Sequence, residues 1–308
     1  MALVCGIEVP QVFLDGPVDA EHIRKFVTMA ETLGYASLWL QERILSDFAM
    51  LEPVTLLSYV AALTERVRLG VSVVLLPLRN PIQLAKSSAT LDCLSGGRVV
   101  LGVGLGGGHV GSHEEVFGYS REKRVRRFTE AVQAMKLLWS QPRASFHGTF
   151  WNFTDIAMEP KPMQKPHLPI WFGGHHENAL RRAVQYGDGW MGAGSSSAAA
   201  FVRESGTVRR FLDEAKRDPN TFTIAKRVYL AVDSDKARAE GRLREWFFRR
   251  YANADLAVRV SLWGGRDECV DRVREIVRAG AQQIVFNPCF DELEHLEICA
   301  KEIMPHLT

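Results

Sequence analysis

Apolar positions along the chain follow two periods in turn, one of strands and one of helices. Residues 3–9 form a short apolar, β-branched run. Beyond it Ile23, Phe26, Val27, Ala30 and Leu33 recur at helical spacing, with Asp19 placed to cap the start and Gly34 just past the end. The alternation continues: strand 35–40, helix 52–65, strand 67–76, helix 80–94, strand 98–105 and helix 122–139. In that last helix Val125, Phe128, Val132, Met135 and Trp139 share a face. Residues 140–168 break the rhythm with prolines and a hairpin-like aromatic stretch, 146–153, and read as an insertion after the fourth helix. Strand 169–172, helix 177–186, strand 189–191, helix 198–216, strand 221–232, helices 235–252 and 268–279, strand 283–286 and helix 291–306 complete the pattern. Eight strand candidates, each followed by helical sequence, predict a single α/β domain over 1–308, a parallel (β/α)8 TIM barrel.

Composition narrows the partners. Lys plus Arg number 38 against 36 for Asp plus Glu, a net charge of +2 that speaks against a nucleic-acid binder. No apolar run approaches the ~18 residues of a membrane span. The apolar N-terminus meets Glu8 at once and lacks a basic leader, so no secretory signal is expected. The five cysteines are scattered without a C-x-x-C, which fits reduced thiols and a cytoplasmic location.

A barrel of this kind carries its chemistry at the carboxyl ends of its strands. Gly102, Gly104 and Gly107 satisfy G-x-G-x-x-G, but after the fourth strand and well before the next helix, so they read as a pocket loop rather than a dinucleotide turn. Gly173 and Gly174 end a strand directly before a helix, which suits either a phosphate group or a tight turn with no ligand. His109 with His113, and His175 beside His176, raise a metal site. The first strand offers no H-x-H to join them, and no metal is expected. The absence of G-x-S-x-G speaks against an esterase.

Five segments in order give the chain a resemblance to the luciferase-like monooxygenase superfamily, whose barrels use FMN or the deazaflavin coenzyme F420. They are AETLGYASLW at 30–39, LTERVRLG at 63–70, AKSSATLDCLSGGRVVLGVGL at 85–105, PIWFGG at 169–174 and RAVQYGDGW at 182–190. The resemblance implies a non-prolyl cis peptide at Ser72-Val73 behind the ring system. It implies that Gly173, Gly174 and His175 bind the cofactor's phosphate end, with Gly192, Ala193 and Gly194 beside them. Gly104, Gly106 and Gly107 are then expected to floor the ring, and Trp39 to join the cofactor set.

Two departures bear on mechanism. Deazaflavin-dependent relatives often carry Asp-His after the second strand, where this chain has Glu42-Arg43. A guanidinium stays protonated and cannot serve as a base, though it can stabilise an anionic ring or orient a substrate oxygen. Glucose-6-phosphate-oxidising relatives place a carboxylate in the fourth loop, where Gly107, Gly108 and His109 stand here, so that sugar phosphate is not the expected substrate. Glu42, His109 and His175 are the candidates to move a proton, and Glu42, Arg43 and His109 form the expected catalytic set. The implied activity is hydride transfer between F420 and a small organic substrate. The alternatives are an FMN-dependent monooxygenase fed by a separate reductase, and a non-catalytic binding protein. A homodimer is expected, with Trp246, Phe247 and Phe248 either at its interface or in the core.

Overall fold

The strands are apolar on both faces because both faces are covered, one by barrel filling and the other by helices. The computed structural model describes residues 3–106, 116–118 and 121–307. Its central strands are β1 (Val4–Glu8), β2 (Ser37–Leu40), β3 (Arg68–Leu75), β4 (Val99–Gly104), β5 (Ile170–Gly173), β6 (Gly189–Gly192), β7 (Thr223–Val232) and β8 (Gln283–Pro288). Each pairs in parallel with the next, and β8 closes the ring on β1 through Val4 opposite Gln283 and Cys5 opposite Ile284. This is the predicted parallel eight-stranded barrel.

The interior is packed with side chains from alternate positions. Trp39, Val100, Trp171, Met191, Ala225 and Val285 form one cluster. Trp39 and Trp171 stack at 5.2 Å. Gly70 makes room for them, since a β-carbon there would stand 2.4 Å from the Trp39 ring.

Helices α1 (Ala20–Thr32), α2 (Pro53–Leu63), α3 (Pro81–Leu94), α4 (Arg124–Ser140), α5 (Glu177–Tyr186), α6 (Ala198–Glu214), α7 (Lys236–Tyr251), α8 (Asp255–Val260), α9 (Arg266–Arg278) and α10 (Glu292–Ile298) accompany the strands. Asp19 caps α1 by accepting from the His22 amide at 2.9 Å. Gly34 follows α1 with φ of +86°, a conformation that favours glycine. Between α4 and β5, Ala144–His147 and Asn152–Ile156 pair as an antiparallel ribbon.

Two stretches differ from the sequence-based expectation. The segment after α7 holds α8 and a short strand, Leu262–Gly264, that pairs with the end of β7. The expected single helix over 291–306 becomes α10, a π turn at Cys299–Ile303 and a 3-10 turn at Met304–His306. Pro305 lies in that last turn and has no amide hydrogen to continue an α-helix. The Trp246-Phe247-Phe248 trio divides: Phe247 is buried against Tyr229 and Leu243, whereas Phe248 is 62% exposed.

Candidate active site

At the carboxyl end of the barrel lies a cleft of about 1070 Å3, bounded by the ends of β2 to β7 and by α4, α5 and α7. A second cavity, about 760 Å3, opens at the opposite end among Leu3, Leu212, Phe222 and Leu307. Among the described residues no loop from the carboxyl ends of β1 to β7 lines it, so the mouth is the candidate site.

The middle of the cleft is shaped by a break in β3. Its register against β4 shifts between Val71 and Val74, and the Ser72-Val73 peptide in that interval is cis. Both residues line the cleft. The Val73 methyl groups occupy the places where neighbouring side chains would begin. A β-carbon on Gly104 would stand 2.5 Å from Val73 Cγ2, and one on Gly173 would stand 2.8 Å from Val73 Cγ1. These glycines are therefore required by the packing of Val73, whatever binds above them.

The expected cofactor residues separate into groups. Ser72, Val73, Gly104, Gly106, Gly173, Gly174, His175 and Ala193 line the cleft. Gly174 has φ of +127°, and its carbonyl accepts from Trp190 Nε1 at 2.7 Å, which fixes the β5–α5 turn. His176 caps α5, its Nδ1 accepting from the Asn178 amide at 3.3 Å. Gly192 faces away from the cleft, since a β-carbon there would stand 2.7 Å from the Phe201 ring. A β-carbon on Gly194 would stand 2.7 Å from Arg227 Nε. Trp39 is not among the residues that line the cleft: 1% exposed, it fills the barrel interior and donates from Nε1 to Ser37 Oγ at 2.8 Å. Gly107 and His109 lie outside the described residues, as do Gly108 and His113.

Glu42 and Arg43 both reach the cleft, but they are not each other's partners. The Glu42 side chain, 1% exposed, accepts from the Leu75 amide and from Arg79, whose Nε lies 2.7 Å from Oε1. Arg43 donates instead to the Arg250 carbonyl at 2.9 Å.

Sequence reasoning missed a polar group at the ends of β1 and β7. Glu8 is 5% exposed and accepts from Ser72 Oγ at 3.1 Å and from Gln41 Nε2 at 3.3 Å, while Arg227 Nη1 stands 3.5 Å away. Burial pushes the Glu8 carboxyl up, against the pull of Arg227 and these donors. Burial opposes the Arg227 charge, but Tyr229 and Glu8 outweigh it and hold that guanidinium above its ordinary value. Arg227 Nη1 also donates to the Ser72 carbonyl at 3.1 Å, tying β7 to the cis peptide. Tyr229 and Tyr251 share a hydrogen bond at 2.5 Å, and burial pushes the Tyr229 phenol well up, so it remains protonated. The signal was present in the sequence: a charge inside a strand covered on both faces has to find a partner or the mouth.

The family model described as luciferase-like monooxygenase matches residues 3–283. The chain belongs to that family. Among its luciferase-like relatives is an F420-dependent glucose-6-phosphate dehydrogenase of Kineococcus radiotolerans, 30% identical over 72% of this chain and 67% of that protein. An FMNH(2)-dependent dimethylsulfone monooxygenase of Pseudomonas putida is 31% identical over 58% of this chain and half of its own length. The solved structure of an F420-dependent secondary alcohol dehydrogenase, in complex with an F420-acetone adduct, superposes with a TM-score of 0.86. It is 19% identical with full coverage of both chains, a likeness of fold. As a luciferase-like protein the chain is an oxidoreductase.

Proposed function

We propose that this luciferase-like enzyme transfers a hydride between the deazaflavin coenzyme F420 and a small organic substrate held in the cleft. The observation that carries the reading is the wedge of Val73 between Gly104 and Gly173. It leaves the Val73 methyl groups, flanked by two glycines that add no side chains, as the surface on which a planar ring would lie. The residues present fit such a group. Gly174 and the start of α5 offer backbone amides to an anionic tail, with His175 and Arg182 at the same wall. Arg227, whose Nε meets no acceptor among the described residues, offers a donor above Ser72.

When bound, the deazaflavin supplies a ring carbon that gives or takes the hydride. The protein orients the substrate against that face and excludes water. Tyr251 lines the cleft, and its hydroxyl is paired with the Tyr229 phenol, so the pair holds a proton at the wall. Glu42 is spoken for by Arg79 and Leu75, and among the described residues Arg43 forms no ion pair at the β2 end.

The choice of F420 rests on the longer match to the glucose-6-phosphate dehydrogenase, 72% of the chain against 58% for the FMNH(2)-dependent enzyme. The latter match supports a second reading, an FMN-dependent monooxygenase supplied by a separate reductase. A homodimer is part of the proposal under either reading. Anaerobic titration with each cofactor tests it: F420 is expected to bind tightly and be reduced or oxidised by substrate. Tight FMN binding with substrate-dependent oxygen uptake, and no binding of F420, overturns the choice.

A further inference from the structure

The wall of the cleft formed by β2 and α7 carries positive charge that the protein itself leaves unanswered. Arg250, near the end of α7, is only 4% exposed, yet its Nε and Nη1 meet no acceptor among the described residues. Its Nη2 rests 3.3 Å from Met50 Sδ, a weak acceptor. Arg43 comes from the β2 side, and both guanidinium groups lie over Phe48, 5.4 Å and 5.0 Å from the ring centre. Both line the cleft. Of the nearby carboxylates, Glu42 is committed to Arg79 and Glu8 to Ser72 and Arg227, while Asp47 acts on Arg43 only through a minor electrostatic pull. Among the described residues no Asp or Glu forms an ion pair with Arg43 or Arg250.

Two like charges side by side, one of them buried with unpaired donors, are unfavourable in the empty pocket. A planar oxyanion relieves both costs at once, because each guanidinium presents a fork of donors that matches a carboxylate. Burial and the neighbouring Arg250 lower the pKa of Arg43, against smaller opposing pulls from Tyr251 and Asp47. In the closed ring β2 stands across from β6, so this wall is remote from the β5–β6 turns that suit a cofactor's tail.

We propose that Arg43 and Arg250 form an anion subsite, and that the substrate of this enzyme is a small organic carboxylate gripped there. The inference deepens the functional reading above and rests on it for the identity of the cleft as the substrate site. The same chemistry could be satisfied by acidic groups on the cofactor, so the test separates the two sources.

Acetate, butyrate, benzoate and phenylacetate are each titrated calorimetrically beside their primary amides, with the cofactor-free chain and again with F420 or FMN. At least one acid is expected to bind about 10-fold tighter than its amide, as charge-assisted pairing requires. Arg250→Gln abolishes that preference, Arg250→Lys restores part of it, and cofactor affinity is unchanged in both. Should Arg250→Gln fail to fold, the partly exposed Arg43→Gln carries the same expectation. The proposal is overturned if no acid outbinds its amide, or if the preference survives both glutamine variants. It is also overturned if those variants weaken cofactor binding instead, which assigns the arginines to the cofactor. Failure of F420 and FMN alike to bind would sink the broader reading, whereas acid preference in the cofactor-free chain is judged separately.

Discussion

A carboxylate that accepts from a backbone amide and a guanidinium together has little capacity left for a substrate proton. Glu42 is in that position, enclosed by Leu75 and Arg79. Its chemistry is therefore positional: it fixes the end of β3 and holds Arg79, which also reaches Glu52. Glu42→Ala leaves the Leu75 amide without its acceptor and Arg79 with Glu52 alone, and should cost about 1–3 kcal/mol of stability in urea denaturation. A loss below ~1 kcal/mol would show that the pair is dispensable. The isosteric Glu42→Gln gives the sharper test of role. Its turnover is expected to keep the wild-type pH profile, and loss of one limb would make Glu42 the proton carrier after all.

Strands β3, β4 and β5 show how much of the site could be read in advance. The glycines at their ends were legible, because a glycine there marks close approach of something, and here that something is Val73. Gly173→Ala is expected to destabilise the barrel by about 1–3 kcal/mol through overpacking, and Val73→Ala should recover much of that loss. A double-mutant cycle that shows simple additivity would mean the contact does not explain the glycine. The β5–α5 turn allows a separate test, since Gly174 is held at positive φ and a β-carbon would press to 2.9 Å from Ala179 Cβ. Gly174→Val should lower cofactor affinity by about 10-fold or more, because the strain falls on the amides proposed to hold the tail. Undiminished affinity would place the tail elsewhere. Periodicity made the long strands and helices legible too, whereas the three-residue strand Leu262–Gly264 and the six-residue α8 are too short to show a period. Glu8 and Arg227 escaped for a different reason: they lie more than 200 residues apart in the chain, and only ring closure brings them together.

For the molecule as a whole, pH dependence of stability follows from a lysine on the outward face of β7. Lys226 is 2% exposed, and its Nζ donates to the Ala193 carbonyl and to the Ser196 carbonyl at 2.7 Å, with Ser196 Oγ at 3.0 Å. It thereby pins the β6–α6 loop, whose Ala193 and Ser195 line the cleft, to the neighbouring strand. Burial lowers its pKa from 10.5 to about 7, a stronger effect than the opposing attraction of Glu204. Between those values the unfolded chain keeps a proton that the folded chain has released, so this group makes stability rise with pH. Below about pH 7 both states are protonated and its contribution is flat. Lys226→Met keeps the length of the side chain and removes the titration. The stability difference, wild type minus Lys226→Met, is expected to climb from pH 7 toward 10.5, with a slope of at most about 1.4 kcal/mol per pH unit. Glu204 interacts with the Lys226 charge, so both proteins carry Glu204→Gln, and the remaining titrating groups largely cancel in that difference. A flat or falling difference curve would mean that the amine stays charged in the fold, held by its three oxygens against the pull of burial.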